Sequence, residues 1–139
     1  MYVVTVDGFV RRAEYKGLES LQEAVGGYIE PVSTLPLDSG YSCYVNEEGL
    51  LDSLQQNILL ECLMGYQPLV GNGVLVSFAE GGENELLSEI KQQRFDAITE
   101  HLEKMVVECE SSGEPLAVGN GPIVVVNVLA DRPLYARGG

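Results

Sequence analysis

Residues 2–32 read YVVTVDGFVRRAEYKGLESLQEAVGGYIEPV, and this stretch decides the fold class. Residues 2–6 and 9–15 are rich in Val, Tyr and Phe, with Asp7-Gly8 between them. Asp-Gly flanked by strand-like runs reverses the chain sharply, because both residues accept positive φ, so a hairpin is expected. Leu18, Leu21 and Val25 then recur at helical spacing, and Gly26-Gly27 supplies a left-handed stop. That pattern predicts a helix over 18–25. Tyr28 to Val32 reads as a strand, which Pro31 assigns to a sheet edge or a strand end because it has no N–H to give a ladder. Hairpin, helix and return strand in this order predict an α+β domain with a mostly antiparallel sheet.

Working outward, Pro36, Asp38, Ser39 and Gly40 form a loop, Tyr41 to Val45 a strand, and Asn46-Glu47-Glu48-Gly49 a turn. Over 50–64 the pattern is ambiguous; Leu51, Leu54, Ile58 and Cys62 fit one helical face, with Gly65 as a stop. Val70 to Phe78 is read as a strand ended by Gly81-Gly82. A long helix follows, capped by Asn84 and stopped near Ser111-Ser112-Gly113. It keeps Leu87, Ile90, Ala97, Ile98, Leu102, Met105, Val106 and Cys109 on or near one face. The apolar run 123–129 predicts a central strand buried on both faces, and 132–139 a loose tail. Pro68 to Val76 and Pro115 to Val125 share a Gly-Asn-Gly turn before a strand, too little to make a repeat protein.

Charge is the strongest signal in the composition. Eight Lys and Arg stand against 21 Asp and Glu in 139 residues, a formal net charge of −13. No basic residue occurs between Lys16 and Lys91, while twelve acids do: Glu19, Glu23, Glu30, Asp38, Glu47, Glu48, Asp52, Glu61, Glu80, Glu83, Glu85 and Glu89. Nucleic-acid binding draws on Lys and Arg displacing counterions, so direct binding is excluded. Such a surface either keeps the protein in solution or meets a basic protein. Cys43, Cys62 and Cys109 are odd in number, far apart and without C-x-x-C, the pattern of reduced thiols in the cytoplasm. The first residues lack a signal peptide's basic start and apolar run, and no apolar stretch is long enough to cross a bilayer. A single domain over 1–139 is expected, soluble and cytoplasmic.

The run Leu18-Glu19-Ser20-Leu21-Gln22-Glu23-Ala24-Val25-Gly26-Gly27-Tyr28-Ile29-Glu30 resembles the "LexLQexVGGyIE" pattern of the domain of unknown function 3846 (DUF3846) family. Val45-Asn46-Glu47-Glu48-Gly49-Leu50-Leu51 resembles its "xNEEGxL" turn, and Val70 to Val76 its "GxxxVV" strand. Leu54-Gln55-Gln56-Asn57 is similar to its "LPxN" segment, with the proline missing. The resemblance covers roughly residues 2–80, with the long helix and last strand as an extension. It implies an origin in a phage, plasmid or large virus and an accessory role, and it implies no catalytic residue or cofactor.

Candidate sites are few. His101 stands alone beside Glu100 and Glu103, without the several converging ligands that zinc needs, so no metal site is expected. No Ser, Cys or Thr has a credible base; Gly40-Tyr41-Ser42-Cys43 is not a nucleophile elbow. Catalytic residues and cofactors are both read as none. Gly71-Asn72-Gly73 and Gly119-Asn120-Gly121 lead into strands without a nearby Lys, which favours turns over phosphate loops, although glycine lets a small polar ligand approach the backbone. Tyr28, Tyr41 and Tyr44 suit strand faces or, if exposed together, protein contacts. Asn46, Glu47 and Glu48 form a polar turn with too few oxygens at ordered spacing for calcium. Arg137-Gly138-Gly139 echoes the tail of ubiquitin-like modifiers, an analogy that the long helix speaks against.

The expected function is therefore a non-enzymatic accessory protein of a phage, virus or mobile element that binds a host component. A basic or DNA-binding host protein is the natural partner, since clustered acids imitate DNA phosphates. A protein that sequesters a nucleotide-like molecule is the alternative. A ubiquitin-like modifier or an enzyme comes third. The position of the acids in the folded chain discriminates: a stripe favours mimicry, and a pocket of Arg and Tyr favours ligand capture.

Overall fold

The computed structural model describes residues 1–32, 40–64, 68–80, 89–116, 126–127 and 132–133. Five strands form one antiparallel sheet: β1 (Tyr2–Val4), β2 (Val10–Arg12), β3 (Ile29–Pro31), β4 (Tyr41–Asn46) and β5 (Gly73–Ser77), in the spatial order β2-β1-β5-β4-β3. Three helices, α1 (Leu18–Val25), α2 (Ile58–Met64) and α3 (Glu89–Ser112), cover its two faces, making an α+β fold. A separate two-stranded ladder pairs β6 (Val126–Asn127) with β7 (Arg132–Pro133).

The local rules explain most of this. Gly8 takes φ 93° in the first hairpin, whose strands pair Tyr2 with Arg12 and Val4 with Val10. Gly26, at φ 77°, ends α1 in the left-handed conformation, and the N–H groups of Gly26 and Gly27 both donate to the Gln22 carbonyl. Pro31 lies in β3, at the sheet edge. Gly113, at φ 67°, ends α3.

The two faces carry two cores. On one side, Leu21 and Val25 of α1 pack with Met1, Val74 and Val76. On the other, α2 and α3 bring Leu59, Leu60, Leu63, Ile98, Leu102 and Val106 against Val4, Cys43, Val45 and Leu75. Alternate residues of β5 therefore enter opposite cores, and all five are buried.

Five expectations are corrected. The central strand buried on both faces is β5; in the run 123–129, the described residues Val126 and Asn127 pair with β7 and do not join the large sheet. The ambiguous 50–64 segment is a turn followed by a short helix, and Leu51 and Ile58, which fit one helical face in the sequence, are exposed. The reason is Asn57, which caps α2 and starts it late, so that Leu59, Leu60, Leu63 and Met64 become its buried residues. Ala97 is exposed; the buried side of α3 follows Ile98, Leu102, Met105, Val106 and Cys109. The strands are also shorter than expected, β2 ending at Arg12 and β5 starting at Gly73, and the tail contains β7. The stop at Gly65, the cap at Asn84, Leu87, and the loop Gly119-Asn120-Gly121 lie outside the described residues.

Candidate functional site

The family-like segments meet at one end of the sheet, beside the C-terminus of α1. The last carbonyls of a helix have no partner within it. Here two asparagines supply partners. Asn46, at the end of β4, donates from Nδ2 to the Val25 carbonyl at 3.2 Å, and Asn72, before β5, donates to the Ala24 carbonyl at 3.4 Å. Asn72 Oδ1 also accepts from the Val6 N–H at 3.1 Å, and Asn46 Oδ1 from the Glu48 N–H at 2.8 Å. Gly27 permits this approach: a Cβ there would stand 2.8 Å from Asn46 Nδ2.

A third asparagine was missed among the candidates. Asn57 is fully buried and accepts from the Leu60 N–H at 3.0 Å, while Nδ2 donates to the carbonyls of Val4 (3.0 Å) and Gly71 (2.9 Å). It is the last residue of the "LPxN"-like segment. An N-cap preceding Leu59-Leu60 at helical onset was the signal available in sequence.

Around these asparagines the chain from Glu47 to Leu54 folds on itself. Gly49 N–H donates to Asn46 O (3.2 Å), Asp52 N–H to Glu48 O (2.8 Å), Ser53 N–H to Leu50 O (3.3 Å) and Leu54 N–H to Gly49 O (2.9 Å). Ser53 closes the loop at φ 54°. Leu54 is wedged between glycines: a Cβ on Gly71 would come within 2.9 Å of its Cδ1, and one on Gly49 within 3.5 Å. Opposite the loop, the segment before β5 is held by Asn57 N–H to Leu69 O (2.8 Å) and Gly71 N–H to Gln55 O (2.7 Å). Buried Glu61 joins it, accepting from the Leu69 N–H (3.0 Å) and from Gln56 Nε2 (2.7 Å).

What this framework presents is apolar. Leu50 is 69% exposed and Leu51 85%. A groove of about 380 Å³ runs beside them, lined by Val45, Leu69, Val70 and the two leucines, with Glu30 and Glu47 at its margin. The register of β3 and β4 sets that margin. Glu30 lies opposite Val45, and the Glu47 N–H donates to the Tyr28 carbonyl at 2.9 Å. Side chains alternate along a strand, so Tyr28, Glu30, Val45 and Glu47 share the face toward α2. Tyr28 is 69% exposed, and Glu48 and Asp52 are exposed on the loop.

The candidate residues separate accordingly. Tyr28, Asn46, Glu47 and Glu48 come together, whereas the tyrosines do not. Tyr41 is buried on the α3 face, stacked on Phe95 with ring centroids 5.0 Å apart and its hydroxyl 2.6 Å from that of Thr99. Tyr44 packs on the α1 face. Gly71, Asn72 and Gly73 form a packed turn: a Cβ on Gly73 would stand 2.4 Å from Leu60 Cδ2. Their backbone and amide groups serve the fold.

At the other edge of the sheet, a groove of about 430 Å³ is lined by Phe9, Arg11, Arg12, Cys109 and Glu110. Arg12 is already engaged there, bonded through Nε to Glu103 (2.8 Å) and through Nη1 to Glu110 (3.1 Å). That hydrogen bond from Arg12, with a further one from Tyr2, holds the Glu103 carboxyl below the usual carboxylate range. Arg11 lies 4.8 Å over the Phe9 ring. Among the described residues no group of three His, Cys, Asp or Glu could hold a metal ion, and no helix is long and apolar enough to cross a membrane.

Residues 1–106 match the family model described as "Domain of unknown function (DUF3846)". The match passes the motif-bearing residues 2–80 and takes in most of α3. No curated protein and no solved structure matched the chain.

Proposed function

The chain belongs to the DUF3846 family, and from that premise we propose that it is a non-enzymatic accessory protein of a phage, virus or mobile element. It acts by binding a basic or DNA-binding protein of the host through its acidic end. The observation that carries this reading is that, among the described residues, one edge of the sheet carries acids and no bases. Among the described residues, Arg11, Arg12 and Lys16 sit on or just after β2, Lys91, Arg94 and Lys104 on α3, and Arg132 on β7 of the separate ladder. The opposite edge, with β3, β4 and the loop beyond it, has Glu30, Glu47, Glu48 and Asp52 and no Lys or Arg. A low-dielectric surface of one sign attracts a partner of the other and speeds its encounter. The nucleotide-sequestering alternative has weaker support, since Arg12 is spent on Glu103 and Glu110.

The test is binding of purified basic DNA-binding host proteins to the chain and to the variant Glu47→Lys/Glu48→Lys/Asp52→Lys, over a range of salt. Binding that weakens with salt and is lost in the variant supports the reading, and competition by duplex DNA for the same partner supports mimicry. Binding indifferent to salt and to charge reversal overturns it.

A further inference from the structure

Charge alone does not account for Leu50 and Leu51. Two adjacent leucines at 69% and 85% exposure are costly to keep in water, and single exposed apolar residues are ordinary only when scattered. Mobility does not explain them either, because the loop that carries them is closed by four backbone hydrogen bonds and anchored by Asn46 and Leu54. A loop fixed in this way loses little further freedom when it is covered, which is what a binding anchor requires.

We propose that the Leu50–Leu51 loop and its adjoining groove seat a segment of a basic protein in which one bulky apolar side chain is bracketed by Lys or Arg. The proposal rests on the reading that the acidic end binds a basic protein, and it assigns the affinity to the apolar contact. The apolar side chain enters the groove between Val45, Leu69 and Val70, whose wall Glu61 braces, and Leu51 covers it. The flanking cations meet Glu30 and Glu47 at the margin and Glu48 and Asp52 on the loop.

Charge decides against other occupants. A second copy would set four carboxylates against the same four, and an anionic membrane or nucleic acid would be repelled by them. Addition of a strand to β3 is limited too. The bonds from Glu47 N–H to Tyr28 O and from Val32 N–H to Cys43 O turn Glu30 toward β4 and Pro31 outward, where proline has no N–H to give. Recognition therefore runs through side chains.

The test uses fluorescence anisotropy with three sets of labelled peptides. One set has Leu or Phe bracketed by Arg or Lys at varied spacing. The second replaces the apolar residue by Ser, and the third replaces the basic residues by Glu. The first set is expected to bind about tenfold more tightly than the second, as one buried anchor commonly contributes, and the third not at all. Leu51→Ser is expected to bring the first set down to the level of the second, with an unchanged melting temperature. Equal binding of the first two sets, unaffected by Leu51→Ser, overturns the anchor while leaving the acidic-end reading intact. No salt-sensitive binding of either basic set overturns both. Self-association abolished by Leu51→Ser, measured by sedimentation velocity, makes a second copy the occupant and also refutes the proposal.

Discussion

Asn57→Ala removes three hydrogen bonds from a side chain with no exposure to solvent. Loss of the bond to the Leu60 N–H is the loss of an N-cap, about 1 kcal/mol. The bonds to the Val4 and Gly71 carbonyls contribute about 1 kcal/mol each, and more where the carbonyl finds no substitute. The sum is about 3–4 kcal/mol, among the larger effects expected of one substitution. For a domain of this size that lowers the melting temperature by roughly 10–20 °C. Asn57→Ser keeps an acceptor for the cap and should recover about 1 kcal/mol of the loss. Asn57→Asp keeps the acceptor too, but it turns carboxylate oxygen toward two carbonyl oxygens, so it should be less stable than the serine variant. Urea unfolding followed by circular dichroism at neutral pH measures all three. An alanine variant within about 3 °C of the parent, or a serine variant no better than alanine, would refute the assignment of Asn57 as the post joining β1, α2 and the segment before β5.

Gly73→Ala should cost about 1–3 kcal/mol in the same assay, because the new methyl meets fully buried Leu60, which has no room to withdraw. Acid should expose the role of Glu80. Partial burial disfavours its charge, but hydrogen bonds from the Met1 ammonium (2.6 Å) and from Ser77 outweigh this and hold its carboxyl below the usual range. Its stabilisation is therefore complete above the unfolded value, about pH 4.3, and is lost as pH falls through the folded one. Glu80→Gln should flatten that part of the urea midpoint against pH; a variant with the parent's profile would contradict the assignment. Among the three free thiols, half-buried Cys62 should react first with a thiol reagent in the native protein. Burial pushes Cys43 up to about 12, so it should react only on unfolding, as mass mapping of the modified cysteines would show.

Elements whose cause is local were legible in the order of the residues. Asp7-Gly8, Gly26-Gly27 and Ser111-Ser112-Gly113 set chain direction through backbone geometry that needs no distant partner, and the hairpin, α1 and the end of α3 lie where those residues put them. Pro31 marked a strand unable to complete a ladder, and β3 is at the edge. Net charge and the basic-free segment were equally legible, since they are sums over residues. The rest depended on contacts between distant segments. An apolar run looks the same whether or not it joins the main sheet, so the choice of β5 over the valine-rich 123–129 waited on which strand received α1 on one face and α2 on the other. Leu51 fits a helical face in sequence and stands in solvent in the fold, because Asn57 finds Val4 and Gly71 and starts α2 beyond it. Asn46 and Asn72 lie far apart in the chain with ordinary turn chemistry; only packing brings both amides to the last carbonyls of α1. The acidic segment was visible from the first reading, but its division into buried Glu61 bracing a groove wall and exposed Glu30, Glu47, Glu48 and Asp52 around two leucines was decided by tertiary structure. Charge belongs to the residue, whereas exposure and neighbours belong to the fold.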